Sequence, residues 1–241
     1  MMKLRALVTR PRHEAATLAA LLAERGIDAV IEPMIDIVNR TTSLPDCSGV
    51  RAILCTSANG VRALARASGE RGVPVFAVGD ATARAALAAG FDRVESAGGD
   101  VEDLARLMTT RLRPAEGRLL HVAGSEVAGD LAGRLGAAGF VVDRAVLYEA
   151  RAATTLTPET AELIERGEID LALFFSPRSA TIFARLAAPI AAGLIAATAI
   201  SISTAADAAL GDLPFRERLI AAAPTQAALL ARVDEFAGLI A

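Results

Sequence analysis

The chain has 241 residues, 53% hydrophobic and 22% charged, with a formal net charge of −3. That length and apolar content call for one large or two small domains with a substantial core, and they exclude global disorder. No block of Lys and Arg runs beyond a few residues, which argues against a nucleic-acid footprint, and the two cysteines, Cys47 and Cys55, give no disulfide framework and fit a reducing compartment.

Apolar runs of four to six residues alternate with helix-period stretches along the chain. "LRALV" (4–8) reads as a strand. "EAATLAALLAERG" (14–26) reads as a helix closed by Gly26. "DAVIEP" (28–33) reads as the next strand. Further strands are predicted at 51–55, 74–78, 118–122, 140–147, 170–175, 198–202 and 218–222. Further helices are predicted at 58–68, 80–89, 101–112, 126–138, 158–166, 178–187, 204–210 and 225–237. Strand–helix alternation of this kind predicts an α/β fold of parallel sheets with helices on both faces. "MMKLRALVTRP" is too short and too soon charged for a signal peptide. The stretch nearest to a membrane span, 186–202, is interrupted by Pro189 and Gly193. A cytoplasmic protein is expected, without membrane or nucleic-acid partners.

The chain repeats itself. "RALVTRPRHEAATLAALLAERGIDAVIEP" resembles "RLLHVAGSEVAGDLAGRLGAAGFVVDRAV", with Gly26 opposite Gly139. "LCTSANGV" resembles "FFSPRSAT", with Ser57 opposite Ser176, and "FAVGDATARAAL" more loosely resembles "ISISTAADAAL". The order is A-B-A′-B′, which predicts two similar parallel-sheet α/β domains. The repeat leaves open which A joins which B. "IDIVNRTTSLPD" (35–46) and "LYEARAATTLTP" (147–158) are equivalent connectors, extended and then Thr/Pro-rich, as a pair of crossing ribbons would be.

Ligands of open α/β sheets bind beyond the carboxyl ends of the strands. Ser57 and Ser176 stand at two such ends, each placed as a helix N-cap, and Pro177 suits the first helical position. The free N–H groups of such helix starts suit an anion without any cationic side chain. "VGDATA" (78–83) offers a third turn through Gly79 and Thr82. "VAGSEVAG" (122–129) offers a fourth through Gly124 and Ser125. Plain capping would explain each turn singly. Together, at one edge of two sheets, they predict a cleft of backbone donors and hydroxyls for a polyanion.

Several chemistries lack their motifs. The chain holds no G-x-G-x-x-G, no G-x-x-x-x-G-K-[ST] and no G-x-S-x-G. His13 and His121, the only histidines, have no metal-ligand partner at usable spacing, and His121 reads as a satisfied core residue in a strand. Cys55 reads as a small core residue. "VEDLARLMTTRLRP" reads as a solvated helix face. Tyr148, the only tyrosine in a chain without tryptophan, falls in "VLYEA". It is either a half-buried packing residue or a phenol placed as donor or general acid.

"VTRP", "CTSANGVRAL", "VGDATARAA", "VLYEA" and "FFSPRSATIF", in this order and at these distances, resemble the uroporphyrinogen-III synthase family of haem biosynthesis over nearly the whole chain. One turn departs from the family pattern. "SISTAADAA" has Ser203 or Thr204 where glycine is common, and Ala206 where a threonine would stand. The resemblance implies two α/β domains joined by a two-stranded linker, the chain crossing twice. Domain 1 would be 1–36 plus 151–241, domain 2 would be 40–146, and 37–39 and 147–150 would be the linker strands. It implies hydroxymethylbilane, a carboxylate-rich linear tetrapyrrole, as substrate. Cyclisation with loss of water and inversion of ring D would give uroporphyrinogen III, with no metal or other cofactor, and a monomer is expected. Tyr148 would assist departure of the hydroxyl. Thr56, Ser57, Asn59, Gly79, Thr82, Gly124, Ser125, Ser176, Arg178 and Ser179 would bind carboxylates, and Arg10 would add a cation.

The chief alternative is a non-catalytic two-lobed module that closes on a small anion. A different α/β transferase would need a nucleotide or methyl-donor loop, and the sequence shows none.

Overall fold

The computed structural model describes residues 3–40, 46–126 and 129–240, so the Thr/Pro-rich part of the first connector (41–45) and residues 127–128 of the fourth turn lie outside it. In chain order the strands and α-helices are β1 (Arg5–Val8), α1 (Arg12–Ala23), β2 (Asp28–Ile31), β3 (Ile35–Asn39), β4 (Val50–Cys55), α2 (Ala58–Ala67), β5 (Val75–Ala77), α3 (Asp80–Ala88), β6 (Val94–Ser96), α4 (Val101–Arg111), β7 (Arg118–Gly124), α5 (Leu131–Ala137), β8 (Val142–Ala152), α6 (Pro158–Glu165), β9 (Leu171–Phe174), α7 (Pro177–Ala187), β10 (Thr198–Ser201), α8 (Thr204–Ala208), β11 (Glu217–Ile220) and α9 (Gln226–Ile240). The chain divides into two compact units, unit 1 of Met1–Asp36 with Arg151–Ala241 and unit 2 of Ile37–Ala150.

Unit 1 holds a sheet ordered β11-β10-β9-β1-β2, and the second sheet is ordered β3-β8-β7-β4-β5-β6. Each described register within β1, β2, β9, β10 and β11, and within β4 to β8, is parallel. The sequence repeat maps onto this order. The first A segment (β1, α1, β2) joins the second B segment (β9 to β11), while A′ (β7, α5, β8) joins B (β4 to β6). Gly26 and Gly139, opposite each other in the repeat, both have positive φ, +71° and +87°. Both end the helix of an A segment in the left-handed conformation that favours glycine.

Alternation along the central strands explains the two-sided cores. In β1, Ala6 and Val8 pack on the face carrying Leu18, Leu22 and Leu229, while Leu7 packs on the face of Phe174 and Phe183. In β4, Ile53 and Cys55 face α2 residues Val61 and Leu64, while Ala52 and Leu54 face α4 residues Leu104 and Met108. Strands covered on both faces read as continuous apolar runs, as "AILC" and "LALFF" do.

The chain leaves unit 1 in β3 and returns in β8, which are neighbours in the second sheet. Within unit 2 the Arg40 N–H donates to Leu147 O at 2.9 Å, and within unit 1 the Ala153 N–H donates to Met34 O at 2.9 Å. Several predicted elements shift. The helix expected over 126–138 starts at Leu131, where Asp130 caps it by accepting from the Gly133 N–H. The strand expected to end at 147 continues to Ala152, so Tyr148 lies in a strand of unit 2. β6, three half-buried residues, carries too short and too polar a pattern to be seen in sequence.

Among the described residues one helical run, Pro177–Ala196, is long and apolar enough by composition to cross a membrane. Non-helical backbone at Ile190 breaks it, and Ala180, Ile182, Phe183, Ala187 and Leu194 pack into the core of unit 1.

Candidate active site

In unit 2, β4 ends at Cys55 and α2 begins at Ala58, so Thr56 and Ser57 form the whole turn between them. Ser57 takes extended backbone and its Oγ accepts from the Gly60 N–H at 3.1 Å, the N-cap geometry. The same Oγ lies 2.8 Å from Tyr148 Oη, either oxygen being able to donate. Tyr148 is 8% exposed, with its ring in the cluster of Val61, Leu64, Val122 and Leu147.

Gly124 makes room for that ring. β7 and β8 are parallel, and Gly124 pairs with Tyr148 beyond an irregularity in the register. A Cβ on Gly124 would come 2.9 Å from Tyr148 Cε2 and Cζ and 3.1 Å from Oη. The Ser125 N–H donates to Tyr148 O at 2.9 Å, and the Arg144 guanidinium donates to Gly124 O and Ser125 O at 2.7 and 3.0 Å.

Thr56, Ser57 and Tyr148 line a pocket of about 330 Å³ with Val78, Asp100, Val101 and Glu126. Among the described residues its lining includes two carboxylates and neither Lys nor Arg. Asp100 caps α4, accepting from the Glu102 and Asp103 N–H groups while the Asp103 side chain accepts from its own N–H. Sequence reasoning missed Asp100 and Glu126. The D-x-x-D pattern of a capping box was present in "DVED", but the undetected β6 hid the turn that carries it to the pocket. His121 on β7 was likewise read only as core. It is buried, and its Nε2 lies 3.4 Å from Thr56 Oγ1. Burial first, and the Arg144 cation second, lower its pKa to about 4. Burial pushes the Cys55 thiol up to about 12, which removes it as a nucleophile at neutral pH.

The other expected site residues stand apart from this pocket's lining. Asn59 is half-buried and its Oδ1 accepts from Arg62 at 2.8 Å. Gly79 caps α3 with extended backbone that any residue adopts, and a Cβ there would meet nothing nearer than Gly99 O at 3.7 Å. Thr82 is buried within α3. In unit 1, Ser176 repeats the Ser57 cap, its Oγ accepting from the Ser179 N–H at 3.1 Å. Its hydroxyl then donates to the buried Ser179 Oγ at 3.0 Å, the place in the repeat where Ser57 meets a tyrosine. Arg178 is exposed at the second helical position of α7. The Arg10 guanidinium is engaged inside unit 1. It pairs with Glu14, donates to Gln226 Oε1 at 2.7 Å and sits 4.4 Å from the Phe175 ring centroid. Ser203 caps α8, and Ala206 is fully buried.

The sequence pattern of the family described as "Uroporphyrinogen-III synthase HemD" matches residues 16–231. The chain belongs to the uroporphyrinogen-III synthase family. It is accordingly an enzyme of tetrapyrrole and haem biosynthesis, a cyclising hydro-lyase that converts hydroxymethylbilane to uroporphyrinogen III. Solved structures agree in fold. A uroporphyrinogen-III synthetase from Helicobacter pylori is 17% identical with a TM-score of 0.64, over 98% of this chain and 100% of that one. A mutant uroporphyrinogen III synthase from the extreme thermophile Thermus thermophilus is 18% identical with a TM-score of 0.53, over 99% and 100%. Among curated protein sequences none matches the chain. Nothing in these likenesses favours the non-catalytic anion-binding module.

Proposed function

We propose that the Tyr148 pocket of unit 2 is where the hydroxyl group of hydroxymethylbilane departs. The observation that carries this reading is the 2.8 Å contact between Tyr148 Oη and Ser57 Oγ at the pocket wall. Departure of the hydroxyl needs a proton donor and leaves a conjugated, cation-like electrophile. Tyr148 supplies the donor, directly or through water, and Ser57 holds its oxygen in place. Ring D then attacks through its substituted carbon to give a spiro intermediate, which fragments and recloses. The pyrroles supply the electrons.

A volume of about 330 Å³ suits one ring end of the substrate rather than a whole tetrapyrrole. The lining supports the same view. Asp100 and Glu126 would repel the acetate and propionate groups, yet they suit pyrrole N–H donors and a developing positive charge. The carboxylates are then bound by the N–H-rich helix starts, through Asn59, Gly79 and Thr82 in unit 2 and through Ser176, Arg178 and Ser179 in unit 1, with Ser125 adding its hydroxyl from the turn after β7. Arg10, already paired, contributes through the fold of unit 1 rather than as a substrate cation.

Closure without an enzyme would give the symmetric type I isomer, so the protein's chief task is to orient ring D. A monomer in the cytoplasm, with no nucleic-acid or membrane partner, completes this reading. The net charge of −3 and the absence of basic blocks support the part of it that concerns nucleic acid. The test is incubation with hydroxymethylbilane and separation of the type I and type III products. Type III in excess is expected, and a product mixture equal to that of the uncatalysed reaction would refute the assignment.

A further inference from the structure

His121 has no part in the chemistry above, yet it is placed against the pocket wall. It lies on β7 in register with Leu54 of β4 on one side and Arg144 of β8 on the other. Its ring reaches the turn that follows β4, where Nε2 lies 3.4 Å from Thr56 Oγ1. Thr56 lines the pocket beside Ser57 and Tyr148.

We infer that His121 is a positioning residue for the reaction, its Nε2–H donating to Thr56 Oγ1 so that the Thr56 hydroxyl proton is aimed into the pocket. A threonine hydroxyl has one proton and two acceptor sites. With an acceptor site filled from behind, its proton is left for an oxygen in the pocket. Asp100 and Glu126 already supply acceptors there, and a departing hydroxyl needs donors. Thr56 is then a second donor beside Tyr148. Burial and the Arg144 cation keep the imidazole neutral at physiological pH, so it orients the hydroxyl without adding a charge that would oppose a cationic electrophile. Arg144 itself is anchored on Gly124 O and Ser125 O, which fixes the cation beside the ring.

This inference rests on the reading of the Tyr148 pocket as the reaction site, and the experiment separates the two. His121→Leu removes the donor while keeping the site apolar, and His121→Gln returns an amide N–H near the Nε2 position. Each is measured alone and with Thr56→Val, for kcat, KM, type III to type I ratio and Tm. Loss of a neutral hydrogen bond corresponds to about a five- to tenfold loss. His121→Leu is expected to lower kcat by that factor, with Gln restoring most of it. In the Thr56→Val background His121→Leu should have no further effect on kcat. An equal loss in both backgrounds, or failure of Gln to restore activity at matched Tm, would overturn the inference. The sequence has two histidines, so ¹⁵N NMR with His13→Asn as reference reads the tautomer directly. A proton on Nδ1 rather than Nε2 would also overturn it. Wild type that gives no type III product would instead sink the reading of the site, whatever the variants do.

Discussion

The phenol of Tyr148 and the hydroxyl of Ser57 lie 2.8 Å apart, and the same Ser57 oxygen caps α2. One oxygen therefore ties the orientation of the phenol to the start of a helix. If the proposed site is the reaction site, a phenol held this way needs no movement to meet the substrate. Tyr148→Phe should lower kcat by about 10²-fold, the lower end of the range for general acid–base catalysis. Binding and orientation remain, so residual product should still be mainly type III. Wild-type kcat in the Phe variant would remove the phenol from the mechanism.

Gly124 supplies the space for that ring. In Gly124→Ala the new Cβ would stand 2.9 Å from two ring carbons. The ring is packed in a core cluster and cannot simply withdraw. Overpacking of this kind costs about 1–3 kcal/mol, and kcat should fall toward that of Tyr148→Phe. Gly79→Ala is the contrast, because its Cβ meets nothing nearer than 3.7 Å. Its Tm should hold. A raised KM there would mark close approach of substrate to the α3 start, and an unchanged KM would place the carboxylates elsewhere.

Much of this fold was legible because both faces of each sheet are covered. Continuous apolar runs such as "AILC" and "LALFF" stand out against helix-period neighbours, and the glycines that end helices recur in the repeat. The pairing of A with B′ was not legible from the repeat itself, since similar segments carry no record of which strands lie side by side. The Thr56–Ser57 turn and Tyr148 could be read from strand ends and from rarity. Asp100, Glu126 and His121 could not. A capping aspartate and a strand histidine have ordinary local explanations, and only the fold brings Asp100 and Glu126 to the pocket lining and His121 to Thr56. Arg10 shows how partners stay hidden in a sequence. A cation after a first strand looks available in sequence, whereas Glu14, Gln226 and Phe175 surround it.

Arg10→Ala should accordingly be a stability variant. It loses an ion pair, a hydrogen bond and a cation–π contact at a partly buried position, together worth about 1–3 kcal/mol. Thermal unfolding should show a lower Tm, while KM for hydroxymethylbilane stays near wild type. A raised KM at unchanged Tm would return Arg10 to the substrate.

Acid should find His121 early. Its folded pKa, lowered to about 4 by burial and Arg144, lies below the ordinary value of 6.5. The unfolded chain therefore binds a proton that the folded chain refuses, and stability falls as pH drops from 6.5 toward 4. The full shift corresponds to about 3 kcal/mol. Asp46 and Asp103, whose carboxyls are lowered by backbone hydrogen bonds, lose their contribution further down, below 3.8. Denaturant unfolding at a series of pH values should show a slope between pH 6.5 and 4 in wild type that His121→Gln flattens. An equal slope in both proteins would assign the acid sensitivity to other groups.

Ser57 and Ser176 offer a matched comparison, because the repeat has placed the same residue in the same cap. Their backbones are nearly identical, φ −157° and ψ 153° at Ser57 against φ −161° and ψ 152° at Ser176. Each accepts from the N–H three residues on at 3.1 Å. Ser57→Ala and Ser176→Ala should therefore cost similar stability, about 0.5–2 kcal/mol. Their second contacts differ. Ser57 meets the Tyr148 phenol, whereas Ser176 donates to buried Ser179. Ser57→Ala frees the phenol to rotate and should lower kcat, and with Tyr148→Phe already present it should lower kcat little further, since the contact it removes is gone. Ser176→Ala should leave kcat near wild type and act, if at all, on KM. Measuring both variants at a temperature well below either Tm keeps the shared capping loss out of the kinetics. Equal losses of kcat in the two variants would mean that capping alone explains both serines, and the tie between Ser57 and Tyr148 would then carry no catalytic weight.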